Sequence, residues 1–255
     1  CYLLAVTQGA AILLAELTDL TYVQGHIVAW LSYTLFTMYS GSRGVILTDT
    51  IMFLLFTIAS TAATVFLVKE LGGVPAIVEE LVNIEEKTDL MSWHGMVGPG
   101  TEWPTPMDYL IWAIVIDISW MLVYMVSPWQ SRRHQMARNV HVVLRSAVIA
   151  ALFVVALQVL VYGMGGIINI GNPAIDPPES ATIWASLHML PKILGALMLA
   201  GIMAAVLSSA STFLSLVGFS VSNDIGIHKT GDEAKTLRFS RIMMLVVGAL
   251  ALTAA

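Results

Sequence analysis

From Leu190-Pro191 to Ser222-Asn223-Asp224 the chain reads LPKILGALMLAGIMAAVLSSASTFLSLVGFSVSND. Such a stretch stays apolar for about 30 residues, and as a helix it outruns the roughly 30 Å hydrocarbon core of a bilayer, so it must tilt or protrude. Its middle carries small side chains. On a helical wheel Gly201, Ala204, Ala205, Ser208, Thr212 and Ser215 share one face, with Met203, Val206, Phe213 and Leu214 roughly opposite. A small-residue face lets another helix come close where lipid gives no hydrophobic drive for association. Hydroxyls at Ser208, Ser209, Ser211, Thr212 and Ser215 allow a second reading, because they are hard oxygen donors suited to a small hard cation.

The rest of the chain agrees with a membrane solvent. Hydrophobic residues make up 57% and charged residues 11%, against about 25% charged in soluble domains. The single cysteine, Cys1, excludes an internal disulfide framework and a Cys-based zinc site. The chain opens on Cys and closes within the apolar run LVVGALALTAA, which suggests a piece of a longer protein.

Six further apolar spans are expected, making about seven transmembrane helices in an all-α, polytopic bundle: about 1–18, 22–40, 45–69, 107–126, 140–163 and 236–255. Glycines and serines in Tyr39-Ser40-Gly41-Ser42-Arg43-Gly44 predict a tight turn between the second and third spans. Residues 70–106 are the longest polar stretch, with a short amphipathic helix from Pro75 through Ile77, Val78, Leu81, Val82 and Ile84. Trp93 and Trp103 in the following loop suit a membrane interface. The linker GMGGIINIGNPAIDPPES is expected to be loop, and 225–235 a charged loop.

Alternating the loops places Arg43, Arg132, Arg133, Arg138, Arg145, Lys229, Lys235, Arg238 and Arg241 on one side, and Lys69, Lys87 and Lys192 on the other. The basic side should be cytoplasmic, leaving 70–106 as an extracytoplasmic loop of a single membrane domain over 1–255.

Catalytic constellations are missing from the sequence. The six histidines are scattered without HExxH or Cys/His spacing, and no Walker, GxGxxG or GxSxG motif occurs. Polar residues inside the spans say more, since burying them in lipid is costly. Asp49 lies about one turn into the third span, where it either complements a helix N-terminus or pairs with Arg43, or else lines an ion path. Asp117 shares a face of the fourth span with Trp120 and Tyr124, which is either a packing stripe or a cavity wall.

Three segments carry a family resemblance. GSRGVILTD resembles the GGxxAVxxTD element of the sodium:solute symporter family, the group of proline, pantothenate and sodium-glucose carriers. GIMAAVLSSASTFLSL followed by SNDI resembles its AAxxSSxxS helix ending in (T/N)xDI, and WMLVYMVSPWQSRRHQMA its W-x-x-x-Y segment with P-x-x-x-x-R behind. Here Ser40 stands for the first glycine of the GG pair, and residues 107–127 lack the Gly or Pro of a discontinuous helix.

The resemblance implies a partial inverted five-helix-repeat transporter fold holding the third to ninth of ten core helices, with its site near the midplane. It implies a sodium-coupled symporter, not an enzyme, that imports a small organic solute by alternating access. A sensor module of the same fold, fused to a signalling domain, is the alternative. Sodium ion is the implied coupling ion, held by the Ala205 carbonyl, Ser208 and Ser209. Asp49 falls on the sodium path, and Trp120 and Tyr124 on the substrate-binding wall. The implied partners are the solute and the lipid bilayer, with no nucleic acid, and the implied location is the bacterial inner membrane.

Overall fold

The computed structural model describes residues 2–99, 101–224 and 233–253. Most of the charged loop expected at 225–235 lies outside the described residues, as do the side chains of Arg43, Arg132 and Arg133. Among the described residues every regular element is a helix: α1 Tyr2–Leu17, α2 Tyr22–Glu70, α3 Val74–Val82, α4 Pro106–Val126, α5 Pro128–Gln135, α6 Val140–Gly171, α7 Ala181–His188, α8 Lys192–Asp224 and α9 Glu233–Thr253, with single 3-10 turns at Glu85–Lys87 and Pro178–Ser180. Five segments are long and apolar enough to cross a membrane: Gly44–Glu70, Pro106–Val126, Val140–Gly171, Lys192–Ser222 and Ala234–Thr253. Helix α1 is apolar but shorter, and residues 22–39 form the first part of α2.

Two expected breaks are not formed. Helix α2 runs through 39–44 unbroken for 49 residues. That segment has glycines but no proline, and a helical glycine costs only about 1 kcal/mol, less than abandoning a full set of backbone hydrogen bonds at apolar depth. Helix α6 likewise continues through Gly163, Gly165 and Gly166 to Gly171. There Met164, Ile167 and Ile168 are buried, and that apolar burial offsets the glycine cost.

Helix ends follow local chemistry. Gly72 and Gly73, at φ 82° and 96°, end α2 in the left-handed region, and the Gly73 N–H donates to the Val68 carbonyl at 2.8 Å. Thr105 and Asp108 form a reciprocal capping box ahead of α4, with Pro106 in the first turn. The Asn139 side chain caps α6 by accepting from the Val142 N–H at 2.9 Å.

The chain divides into two compact units. The first comprises residues 1–59 and 196–255. In its core Leu3, Tyr33, Ala210, Leu214 and Met244 are buried together, so α1, α2, α8 and α9 all contribute. Thr7 gives its hydroxyl proton to the Leu3 carbonyl and lies 3.2 Å from the Tyr33 hydroxyl, which leaves Tyr33 as the donor of that bond. Gly218 of α8 packs directly on Met244 of α9, and Gly248 of α9 faces the Trp30 indole nitrogen. These are close helix approaches of the kind small residues permit in membranes.

The second unit comprises residues 60–195. Helix α3 forms where the amphipathic stretch lies, but only Ile77 and Leu81 of its expected apolar stripe are buried, while Val78 and Val82 face outward. It packs on α6, which also packs on α7. Lys87 Nζ donates to Asn169 Oδ1 at 2.6 Å, tying the 70–106 segment to α6. Trp93, Trp103, Tyr109 and Trp112 gather near the start of α4, with Trp103 and Trp112 centroids 4.8 Å apart. That aromatic cluster has the character of a membrane-interface belt.

Candidate functional site

Within the first unit, α2 and α8 run antiparallel against each other. A Cβ on Gly201 would lie 3.2 Å from the Ala59 Cβ and 3.3 Å from the Phe56 Cα, so the two helices approach closely there. About two turns further along α8, and correspondingly earlier on α2, the contact becomes polar. The Ser208 hydroxyl donates to Asp49 Oδ1 at 2.7 Å, and the Thr212 hydroxyl donates to Oδ2 at 3.0 Å. One face of α8 makes both contacts. Its Gly201 end is a packing seam, and its Ser208–Thr212 end is a set of oxygen donors.

Ser208 and Thr212 both reach the same carboxylate because residues four apart stand one above the other on a helix. Ser209 is turned about 100° from Ser208 and is half-buried on the neighbouring flank, as is Ala205. Ser211 and Ser215 donate to the carbonyls of Ser208 and Thr212 at 3.0 and 2.9 Å, so these hydroxyls serve their own helix. Of the residues expected to hold or pass sodium, the structure thus joins Asp49 to Ser208 and keeps Ala205 and Ser209 one step round the helix. Thr212 belongs to the same cluster. Its position on the small-residue face, one turn after Ser208, was the signal for it.

The helix-end role for Asp49 does not survive. That role needs a helix beginning near residue 45, whereas Asp49 sits deep inside α2. Arg43, the other suggested partner, has its side chain outside the described residues. Two hydroxyl donors from another helix hold the carboxylate. Charge-assisted bonds of this kind are roughly twice as strong as neutral ones, which offsets part of the cost of an acid at apolar depth.

The aromatic pair lies in the second unit. Trp120 and Tyr124 do share a face of α4, with ring centroids 6.0 Å apart, and Trp129 meets Tyr124 edge-on at 5.4 Å. Trp120 is 41% and Tyr124 48% exposed, so the described residues do not close a pocket around them. Helix α4 itself is continuous from Pro106 to Val126 and gives way to α5 at Ser127-Pro128. Among the described residues there is no cluster of His, Cys, Asp and Glu that could hold a transition metal. The oxygen set on α8 and α2 instead has the hard, mostly neutral character that suits an alkali cation.

The sodium:solute symporter family (SSF) matches residues 1–255. A sodium/pantothenate symporter of Escherichia coli (strain K12) is 24% identical over 254 residues, covering 97% of this chain and 50% of that protein. The chain therefore spans about half the length of the curated relative it matches. No solved structure matches it. Family and relative are transporters rather than enzymes, and the apolar helices make this an integral, multi-pass membrane protein. The chain belongs to the sodium:solute symporter family.

Proposed function

We propose that this chain is the membrane core of a sodium-coupled secondary transporter that imports a small organic solute by alternating access. The observation that carries the reading is the Asp49 carboxylate held by the Ser208 and Thr212 hydroxyls inside two apolar helices. An acid is costly at that depth, and intramembrane acids commonly mark ion routes.

Sodium, as transported ion, would be held by the Ala205 carbonyl, Ser208 and Ser209. A hydroxyl that donates its proton to Asp49 keeps its lone pairs for a cation, so Ser208 can serve the ion and the acid together. Asp49 then offers a negative charge next to the site, on the way out toward the basic, cytoplasmic face. Sodium binding orders the site, the solute follows on the Trp120 and Tyr124 wall, and helix rocking exposes both inside. An Escherichia coli relative supports a bacterial inner membrane as the location. The name of that relative makes pantothenate one solute to test.

The test is uptake into proteoliposomes by the full-length protein under an inward sodium gradient. Accumulation of a small organic solute that collapses when the gradient is dissipated is expected. Uptake indifferent to sodium, or driven equally by potassium, would overturn the reading.

A further inference from the structure

Asp117 stands near the middle of α4, a helix of 21 residues that is long and apolar enough to cross the membrane. From Tyr109 to Ser131 it is the sole charged side chain. No residue of that membrane-length segment is buried, and Asp117 has no hydrogen bond or ion pair among the described residues. A carboxylate held at this depth needs a partner, because lipid offers none. Its neighbours on the helix point to what that partner is. Asp117 and Tyr124 lie about 20° apart on the wheel, two turns from each other, with Trp120 between them one turn from the acid. The Trp120 and Tyr124 rings are already in contact, at 6.0 Å between centroids and a 40° tilt.

A carboxylate beside two aromatic faces is the chemistry that recognises a positively charged nitrogen. The acid supplies the countercharge, while a cation within about 6 Å of a ring centroid gains from its electron-rich face. Trp120 follows Asp117 by about one turn on the same side of the helix, which offers its ring to a nitrogen seated on the acid. A carboxylate-only solute meets repulsion at the same place. We infer that Asp117 is a specificity residue which selects a solute bearing a protonated or quaternary amine. This inference rests on the transport reading above and names the solute class for it. It sets the chain apart from a carrier of pantothenate, an acid with an amide but no amine.

Full-length protein in proteoliposomes under a sodium gradient would be offered two panels, each labelled. One holds L-proline, glycine betaine, choline and the common neutral amino acids; the other holds pantothenate, lactate and glucose. The expected result is sodium-driven accumulation from the amine panel. Asp117→Asn should raise the half-saturating concentration of that solute about tenfold or more, while Asp117→Glu retains part of the affinity and the sodium half-saturation stays put. Accumulation confined to the amine-free panel would overturn the inference and leave the transporter reading standing. So would unchanged solute affinity in Asp117→Asn with less folded protein, which would make the acid a partner for another helix. No sodium-driven accumulation from either panel would overturn both.

Discussion

Asp49 and Ser208, 159 residues apart in the chain, are joined by a 2.7 Å hydrogen bond between α2 and α8. With Thr212 on the other carboxylate oxygen, both acceptor atoms of Asp49 are occupied by neutral hydroxyls. These two bonds fix the acid in place between the helices.

Replacing Asp49 separates this anchoring role from that of its charge. Asp49→Asn keeps one acceptor oxygen for Ser208 or Thr212 but removes the charge. We expect sodium-driven transport to slow about tenfold, while thermal unfolding in detergent moves little, because a hydroxyl bond to a neutral amide is about half as strong as one to a carboxylate. Initial uptake rates together with a melting curve check this. Normal sodium-dependent rates with a sharply lowered melting temperature would make Asp49 a structural residue only.

Gly201 tests the seam. With Ala59 and Phe56 at 3.2 and 3.3 Å from its position, Gly201→Ala asks the neighbours to give by a few tenths of an ångström. Gly201→Val adds branches that cannot be accommodated that way, at a cost of about 1–3 kcal/mol. The expected order of melting temperatures in detergent is glycine, alanine, valine, with a clear gap before valine. Equal stability of the valine variant would mean that α2 and α8 are not in close contact there.

The arrangement of the connections can be read with single cysteines. Downstream of α2 the basic residues Arg132, Arg133, Arg138 and Arg145 fall on one side and Lys87 and Lys192 on the other. That division holds whether or not α2 breaks at residues 39–44. In a Cys1→Ser background, Glu85→Cys should react with an impermeant thiol reagent in intact cells, and Gln135→Cys only after the cells are opened. The reverse pattern would invert the assigned orientation.

Much of this architecture is legible in local patterns. The apolar stretch of α3 with acids opposite yields a helix with Ile77 and Leu81 inside, and Thr105 with Asp108 marks the start of α4. Glycine was the misleading sign. At 39–44 and 163–166 glycine-rich segments read as loops, yet a helical backbone satisfies its own hydrogen bonds in an apolar surrounding, and glycine alone does not stop it. The pairing of Asp49 with Ser208 and Thr212 lay out of reach for another reason. Periodicity shows which residues share a face of one helix, but it carries no information about which face of a distant helix comes to meet it. Trp120 and Tyr124 show the same limit, since their shared face was legible and their covering was not.

The central claim, that sodium binds at Ala205, Ser208 and Ser209 and drives solute uptake, is tested most directly by sodium activation of the double variant Ser208→Ala, Ser209→Ala. The change removes two hydroxyl oxygens with almost no change in volume, so the close packing of α8 persists. Contacts of a hydroxyl with a charged group are worth about 1.5 kcal/mol or more each, which corresponds to about tenfold or more in apparent affinity. Measured as the sodium dependence of uptake by the full-length protein in proteoliposomes, the half-saturating sodium concentration should rise at least about tenfold, with the amount of inserted protein unchanged. An unaltered sodium curve in a correctly inserted double variant would contradict the account and leave the Ser208 face as a seam for packing alone.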